Sequence, residues 1–271
     1  MNENFKSSSS ARMLPTKPWV LIAGAVILAC SVQAQEWQHR WQLSGHPGLQ
    51  LSSEGVEVVV EAGPANAIEA VLEVEGSSLG TPVAKIDQHQ DGDVVTLHVD
   101  AQPYFGVRYI RLRIQAPQNI EADLRCGNGS ISLNGLHGRL RLDTKAGGIR
   151  AENMDGTLEA ATKSGAVRIR GRFDLLALHT QSGAIDAEVS QGSRLVSEWQ
   201  IESEGGSIVI KIPPSLTAEI EARSESGEIQ SVLPLVPNGF QGRNQLQGTL
   251  GTGGPTLLVW SRSGSIQLAK F

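Results

Sequence analysis

The sequence predicts an all-β fold: a β-solenoid with two short strands per coil of about 18 residues, preceded by an antiparallel or degenerate-coil β region. Three observations predict it. A Gly-led triplet returns at fixed spacing as Gly129-Ser130-Ile131, Gly147-Gly148-Ile149, Gly165-Ala166-Val167 and Gly183-Ala184-Ile185. Apolar residues alternate with period two on both sides of each glycine. Beyond the N-terminal segment, no stretch carries a helical pattern. A fixed period of this length marks a stack in which each repeat buries its apolar face against its neighbours.

Residues 1–34 read as a secretory signal. Lys6, Arg12 and Lys17 give a basic start, Trp19 to Cys30 is an apolar and small-residue run, and Val32-Gln33-Ala34 is a cleavage site. Cleavage is expected after Ala34. The run is too short for the roughly 20 residues of a spanning helix, so no stable membrane span is expected after cleavage. Cys30, behind Ile27-Leu28-Ala29, raises a lipoprotein alternative, against which the bulky Leu28 counts.

Residues 35–119 carry looser strand signals at Val56–Val60, Ala70–Val74, Val83–Ile86, Val94–Val99 and Tyr109–Ile114. Turns are expected at Gly63-Pro64, Gly76-Ser77-Ser78, Asp91-Gly92-Asp93 and Ala116-Pro117.

Residues 120–271 hold the regular repeats. Seven and five residues before the glycines lie apolar pairs such as Leu140 and Leu142, Leu158 and Ala160, Leu176 and Leu178, and Trp199 and Ile201. Three before lies a hydroxyl: Thr144, Thr162, Thr180, Ser203, Ser224 or Ser261. The second and fourth positions after each glycine are again apolar, as in Ile149 and Ala151 or Ile185 and Ala187. The glycine supplies backbone freedom at the corner and the hydroxyl a hydrogen bond. A three-sided coil of hexapeptides is excluded, because six and twelve residues after Ile131 come His137 and Asp143. The repeats resume at Gly206, Gly227 and Gly264. The first delay places an insertion between Glu188 and Glu198, and the second a loop at 232–255 rich in Gly and Pro.

The chain resembles the bacterial putative-adhesin β-strand-repeat family, domain of unknown function 4097. The resemblance rests on Ile110–Pro117, a strand ending in Pro, then Asn128-Gly129-Ser130-Ile131, and then alternating Leu-x-Leu-x-Thr with Ser-Gly-x-Ile. Gly253-Gly254-Pro255-Thr256-Leu257, running into Ser263-Gly264-Ser265-Ile266, is similar to that family's last coil. The resemblance covers about residues 45 to 270. It implies an exported or surface β-solenoid and brings no catalytic residues.

Charge and chemistry narrow the function. Losing Lys6, Arg12, Lys17 and Glu3 takes the formal charge from −5 to −7. An acidic exported chain is not built for nucleic acid. Cys126 alone would remain, which excludes an intramolecular disulfide and reads as a small strand side chain. The six histidines show no metal-ligand spacing, Asp91-Gly92-Asp93 reads as a turn, and Gly251-Thr252-Gly253-Gly254 lacks the strand-to-helix context of a phosphate cradle. No metal or cofactor is expected.

In 18-residue register, the outward positions align Ser132, Arg150, Arg168 and Asp186, and separately Arg141 with Glu159. Arg150 beside Arg168 reads as a solvated charged face or as a contact for an anionic glycan or lipid. Trp260 has outward parity and suits a sugar ring, as do Trp37 and Trp41 on one strand face; packing under a cap is the competing reading. Terminal Phe271 does not read as an outer-membrane barrel signal, because Ile266 and Leu268 are out of phase with it.

The expectation is an exported, non-enzymatic envelope protein, periplasmic or at the cell surface, that binds another envelope protein or a surface polymer. Arg150, Arg168 and Trp260 are the possible ligand contacts. The alternatives are a polysaccharide-acting β-helix enzyme, or an envelope-stress accessory protein suggested by family analogy.

Overall fold

The computed structural model describes residues 37–76, 84–101 and 107–270. The expected signal segment with Cys30 lies outside them, as does Phe271. Among the described residues are 21 strands and no helix. In chain order they are β1 (Trp37–Gln42), β2 (Gly48–Glu54), β3 (Glu57–Ala62), β4 (Ala67–Gly76), β5 (Ala84–Asp91), β6 (Val94–Ala101) and β7 (Val107–Ala116). After residue 119 come β8 (Glu121–Asn128), β9 (Ile131–Asn134), β10 (His137–Ala146), β11 (Ile149–Ser164), β12 (Val167–Ser182), β13 (Ile185–Val189) and β14 (Trp199–Ser203). The last are β15 (Ile208–Ile212), β16 (Ala218–Ser224), β17 (Ile229–Ser231), β18 (Leu235–Gln241), β19 (Gln245–Leu250), β20 (Thr256–Ser261) and β21 (Ile266–Lys270).

Most of these strands pair in parallel, in register with the 18-residue period: Leu140 opposes Leu158, which opposes Leu176, and Ile131 opposes Ile149, which opposes Val167. Two ladders result. The first runs β7, β3, β9, the start of β11, the start of β12, β13, β15, β21, β17. The second runs β6, β2, β8, β10, the end of β11, the end of β12, β14, β20, β16. β11 serves both ladders because it bends between them, where Asn153 and Gly156 take positive φ (56° and 119°).

Alternation explains the burial. Ile131, Leu133, Ile149, Ala151, Val167 and Ile169 are buried from the first ladder, and Leu140, Leu142, Leu158, Ala160, Leu176 and Leu178 from the second, in one continuous core. The residues between them point out. β2, β3, β6 and β7 stand in the same ladders as the later strands, so residue 119 marks no break in the pairing.

Stack order differs from chain order at both ends. β2 and β3 lie between the β6–β7 and β8–β9 coils, and β20 and β21 lie between the β14–β15 and β16–β17 coils. Antiparallel strands then flank the ends: β4 on β7 with β1 beyond it, β5 on β6, and β19 on β16 with β18 beyond it. The 232–255 segment, expected as a loop, therefore contains a hairpin. Its Pro237 and glycines fit there because an outer edge strand needs no donor on its free side. The insertion after Glu188 falls where expected, between β13 and β14.

The glycines at 129, 147, 165, 183 and 206 stand in one column, and the reason for glycine is room. A Cβ on Gly165 would lie 2.2 Å from the Gly147 carbonyl oxygen, and one on Gly183 would lie 2.0 Å from that of Gly165. Of the first four, Gly147 alone has positive φ. Close stacking, more than the backbone freedom expected from the sequence, selects the residue.

Candidate functional site

The outward rows of the two ladders are the surfaces available for recognition. On the first ladder, Arg150 stands directly opposite Arg168, and Arg168 opposite Asp186. Parallel pairing sets each step at about 4.8 Å. Arg150 donates to Glu152 (3.1 Å), Arg170 to Glu188 (2.9 Å), and Lys211 lies 3.4 Å from Glu188. Among the described residues, Arg168 makes no ion pair. These residues line a shallow hollow of about 120 Å³. Four cations there face three carboxylates: Arg150 has Glu152, Arg170 and Lys211 share Glu188, and Arg168 stands opposite Asp186.

The second ladder has a larger hollow of about 190 Å³, lined by Arg141, Asp143, Glu159, Ala161, Ala177, His179, Gln200 and Glu202, with Leu142, Ala160 and Leu178 beneath. Arg141 and Glu159 pair across strands at 3.8 Å, as do His179 and Glu202 at 3.6 Å. Trp260 opposes Glu202 on one side and Arg223 on the other, and is half-buried. The Arg262 guanidinium lies 5.8 Å from the centre of its ring and is itself held by Glu204 at 3.0 Å. Further along, Gln50, Ser52, Thr96, Asp123 and Arg125 line another hollow of about 330 Å³.

The structure thus brings Arg150 and Arg168 together and leaves Trp260 on the other ladder. Trp41 is buried, and Trp37 packs against the core with His39 between their rings, so these tryptophans belong to the N-terminal cap. The second-ladder hollow was missed in the sequence. Its signal is that Ala161 and Ala177 occupy outward positions where neighbouring coils carry charged or amide side chains.

The bend between ladders holds a charge cluster. Arg172 donates to Asp155 at 2.7 Å and to Asp174 at 2.7 and 2.9 Å. The hydrogen bonds from Arg172 hold both carboxyls below the ordinary aspartate range. Burial pushes the Cys126 thiol up, and its Sγ donates to the Val56 carbonyl at 3.3 Å. Asp93, in the Asp91-Gly92-Asp93 turn, accepts the Ser44 backbone N–H at 2.6 Å. Among the described residues, no group of three or more His, Cys, Asp or Glu side chains is arranged to hold a metal, and no helix is long and apolar enough to cross a membrane.

No known family and no curated protein matches the sequence. Among solved structures, the chain is similar to a "putative cell adhesion protein" from Clostridium sporogenes, at 12% identity and a TM-score of 0.43, covering 88% of this chain and 100% of that one. It is also similar to a "putative adhesin" from Bacteroides fragilis, at 12% identity and 0.43, covering 89% and 99%. A "putative lipid binding protein" from Parabacteroides distasonis is similar at 10% and 0.36, covering 87% and 96%. At these values the likeness says nothing about what the chain binds.

Proposed function

We propose that this chain is an exported, non-enzymatic cell-envelope protein of the adhesin-like β-strand-repeat kind. Its two ladders form a β-solenoid scaffold whose flat faces bind another envelope protein or a surface polymer. Residues 1–34 act as the signal, 35–119 supply the first coils and cap, and 120–271 the regular repeats.

The observation that carries this reading is the pair of parallel ladders, which presents outward side chains in fixed rows over many strands. Such rows suit a partner that repeats along its length. On the first ladder, Arg150 and Arg168 stand one strand apart in a hollow where four cations meet three carboxylates, an arrangement that an anionic group would stabilise. At the bend between ladders, Asp155 and Asp174 stay ionised beside Arg172 and are poor proton donors at neutral pH, which disfavours glycosidic acid catalysis there.

The test is a binding screen of the purified protein against envelope glycans and an envelope-protein extract, with reducing-sugar release followed in parallel. Binding without release is expected, with anionic ligands lost in the Arg150→Ala/Arg168→Ala variant. Sugar release abolished by that variant would overturn the non-enzymatic reading. N-terminal sequencing of the exported protein should begin at Gln35; a lipid-bearing start at Cys30 would replace a free protein with a tethered one.

A further inference from the structure

The second-ladder hollow has a chemistry of its own. Its two outward rows read Arg141, Glu159, Ala177, Gln200 and Asp143, Ala161, His179, Glu202 in cross-strand register. The two alanines sit on neighbouring strands and open the dip. The two alanine methyls form a small apolar floor, while Arg141, Gln200 and His179 offer donors and Asp143, Glu159 and Glu202 acceptors around it. An apolar floor inside a rim of mixed donors and acceptors matches a pyranose, which has a C–H face and a hydroxyl edge. One strand beyond Glu202 lies the half-buried indole of Trp260, a second apolar platform on the same ladder.

Charge selects among sugars. The rim sets Arg141 and His179 against Asp143, Glu159 and Glu202, so carboxylates outnumber cationic groups in either state of the imidazole, a field that opposes uronates, phosphates and sulfates. The Arg168 surface has the opposite balance.

We propose that the second ladder binds a neutral linear oligosaccharide, with one sugar over Ala161 and Ala177 and the chain continuing across the strands toward Trp260. This rests on the reading of the strand faces as binding surfaces, but on a different face from Arg150 and Arg168.

The experiment titrates the purified protein with two neutral hexasaccharides, β-1,4-linked glucose and β-1,4-linked N-acetylglucosamine, and with an anionic galacturonate hexamer. Calorimetry and tryptophan fluorescence are the readouts. Saturable binding of at least one neutral probe is expected. It should weaken about tenfold in Trp260→Ala, equivalent to about 1.4 kcal/mol, and vanish in Ala161→Arg and in Ala177→Arg. Both arginine substitutions sit at outward positions and are checked for an unchanged melting temperature. Arg150→Ala/Arg168→Ala should leave neutral binding intact.

Absence of saturable binding by either neutral probe at millimolar concentration overturns the proposal, and so does neutral binding that survives both arginine variants. Binding of the galacturonate alone, lost in the Arg150/Arg168 variant, overturns it too, while leaving the broader binding function standing.

Discussion

Thr162 Oγ1 donates to the Gly147 carbonyl at 3.0 Å, and the same bond recurs from Thr144 to Gly129, Thr180 to Gly165 and Ser203 to Gly183. Each hydroxyl therefore ties its own coil to the preceding one, beside the glycine whose missing side chain lets the coils close. Cys126 stands in the same column, next to Thr144, and its thiol makes the equivalent bond to Val56. The spacing of hydroxyl and glycine was visible in the sequence, but their relation was not. Periodicity reports that two residues recur together, whereas the bond runs to the glycine of the neighbouring coil, fifteen residues back. Thr162→Val is expected to cost about 1 kcal/mol by leaving the part-buried Gly147 carbonyl short of a donor, and Thr162→Ser much less. Gly165→Ala should cost more than either, since its Cβ would meet backbone rather than a movable side chain. Urea denaturation midpoints check the order; an alanine at 165 that is tolerated like the serine would contradict the close-stacking account.

At the scale of elements, the regular strands were readable because inward and outward positions alternate cleanly, while the bends were not. β11 and β12 each run 16 residues through a corner that carries no distinctive motif. What holds that corner is Arg172, which joins Asp155 of the preceding coil to Asp174 of its own. Trp199 supports it from the following coil, fully buried and donating its indole N–H to the Asp174 carbonyl at 3.1 Å. The N-terminal strands were harder still, because β2 joins β8 at an offset of 73 residues, as between Leu49 and Ala122, and no fixed period survives such an insertion. The corner gives a signed pH dependence. Both aspartates are held below the ordinary 3.8 in the folded state, so the unfolded chain binds more protons than the folded one around that pH. Their contribution is present above about pH 3.8 and is lost as pH falls through the lowered folded values. Arg172→Met should lower the melting temperature at pH 7 and flatten its fall between pH 5 and pH 2. Parallel melting curves for the two proteins over that range would contradict this role for the cluster.

For the whole molecule, the 18-residue pattern indicates which residues face inward and leaves open which coil neighbours which. Every coil offers the same parallel edge, so placing Gly264 after Gly227 was the natural expectation. The structure instead stacks Gly264 on Gly206 and Gly227 on Gly264. Ile208 N–H bonds to the Ser265 carbonyl at 2.9 Å and Ile266 N–H to that of Glu228 at 3.0 Å, so the last coil is bonded on both sides. The β18–β19 hairpin carries the chain past the end of the stack and back, covering the β16 edge on the way. A stack whose final segment is interior depends on that segment differently from one that merely ends there. Removing residues 256–271 from an end would take away one coil and lower the melting temperature by a few degrees, since repeats contact only their nearest neighbours. Removing an interior coil separates β14 and β15 from β16 and β17 and bares two parallel edges with buried apolar rows. The truncated protein is therefore expected to lose the C-terminal coils altogether, with hydrogen exchange accelerating across 199–250, and to self-associate. A peptide of residues 256–271 added in trans should restore protection on both sides of the gap. Light scattering and exchange measured with and without the peptide decide between the two arrangements: truncation that leaves 199–231 protected and monomeric would place the last coil at the end after all.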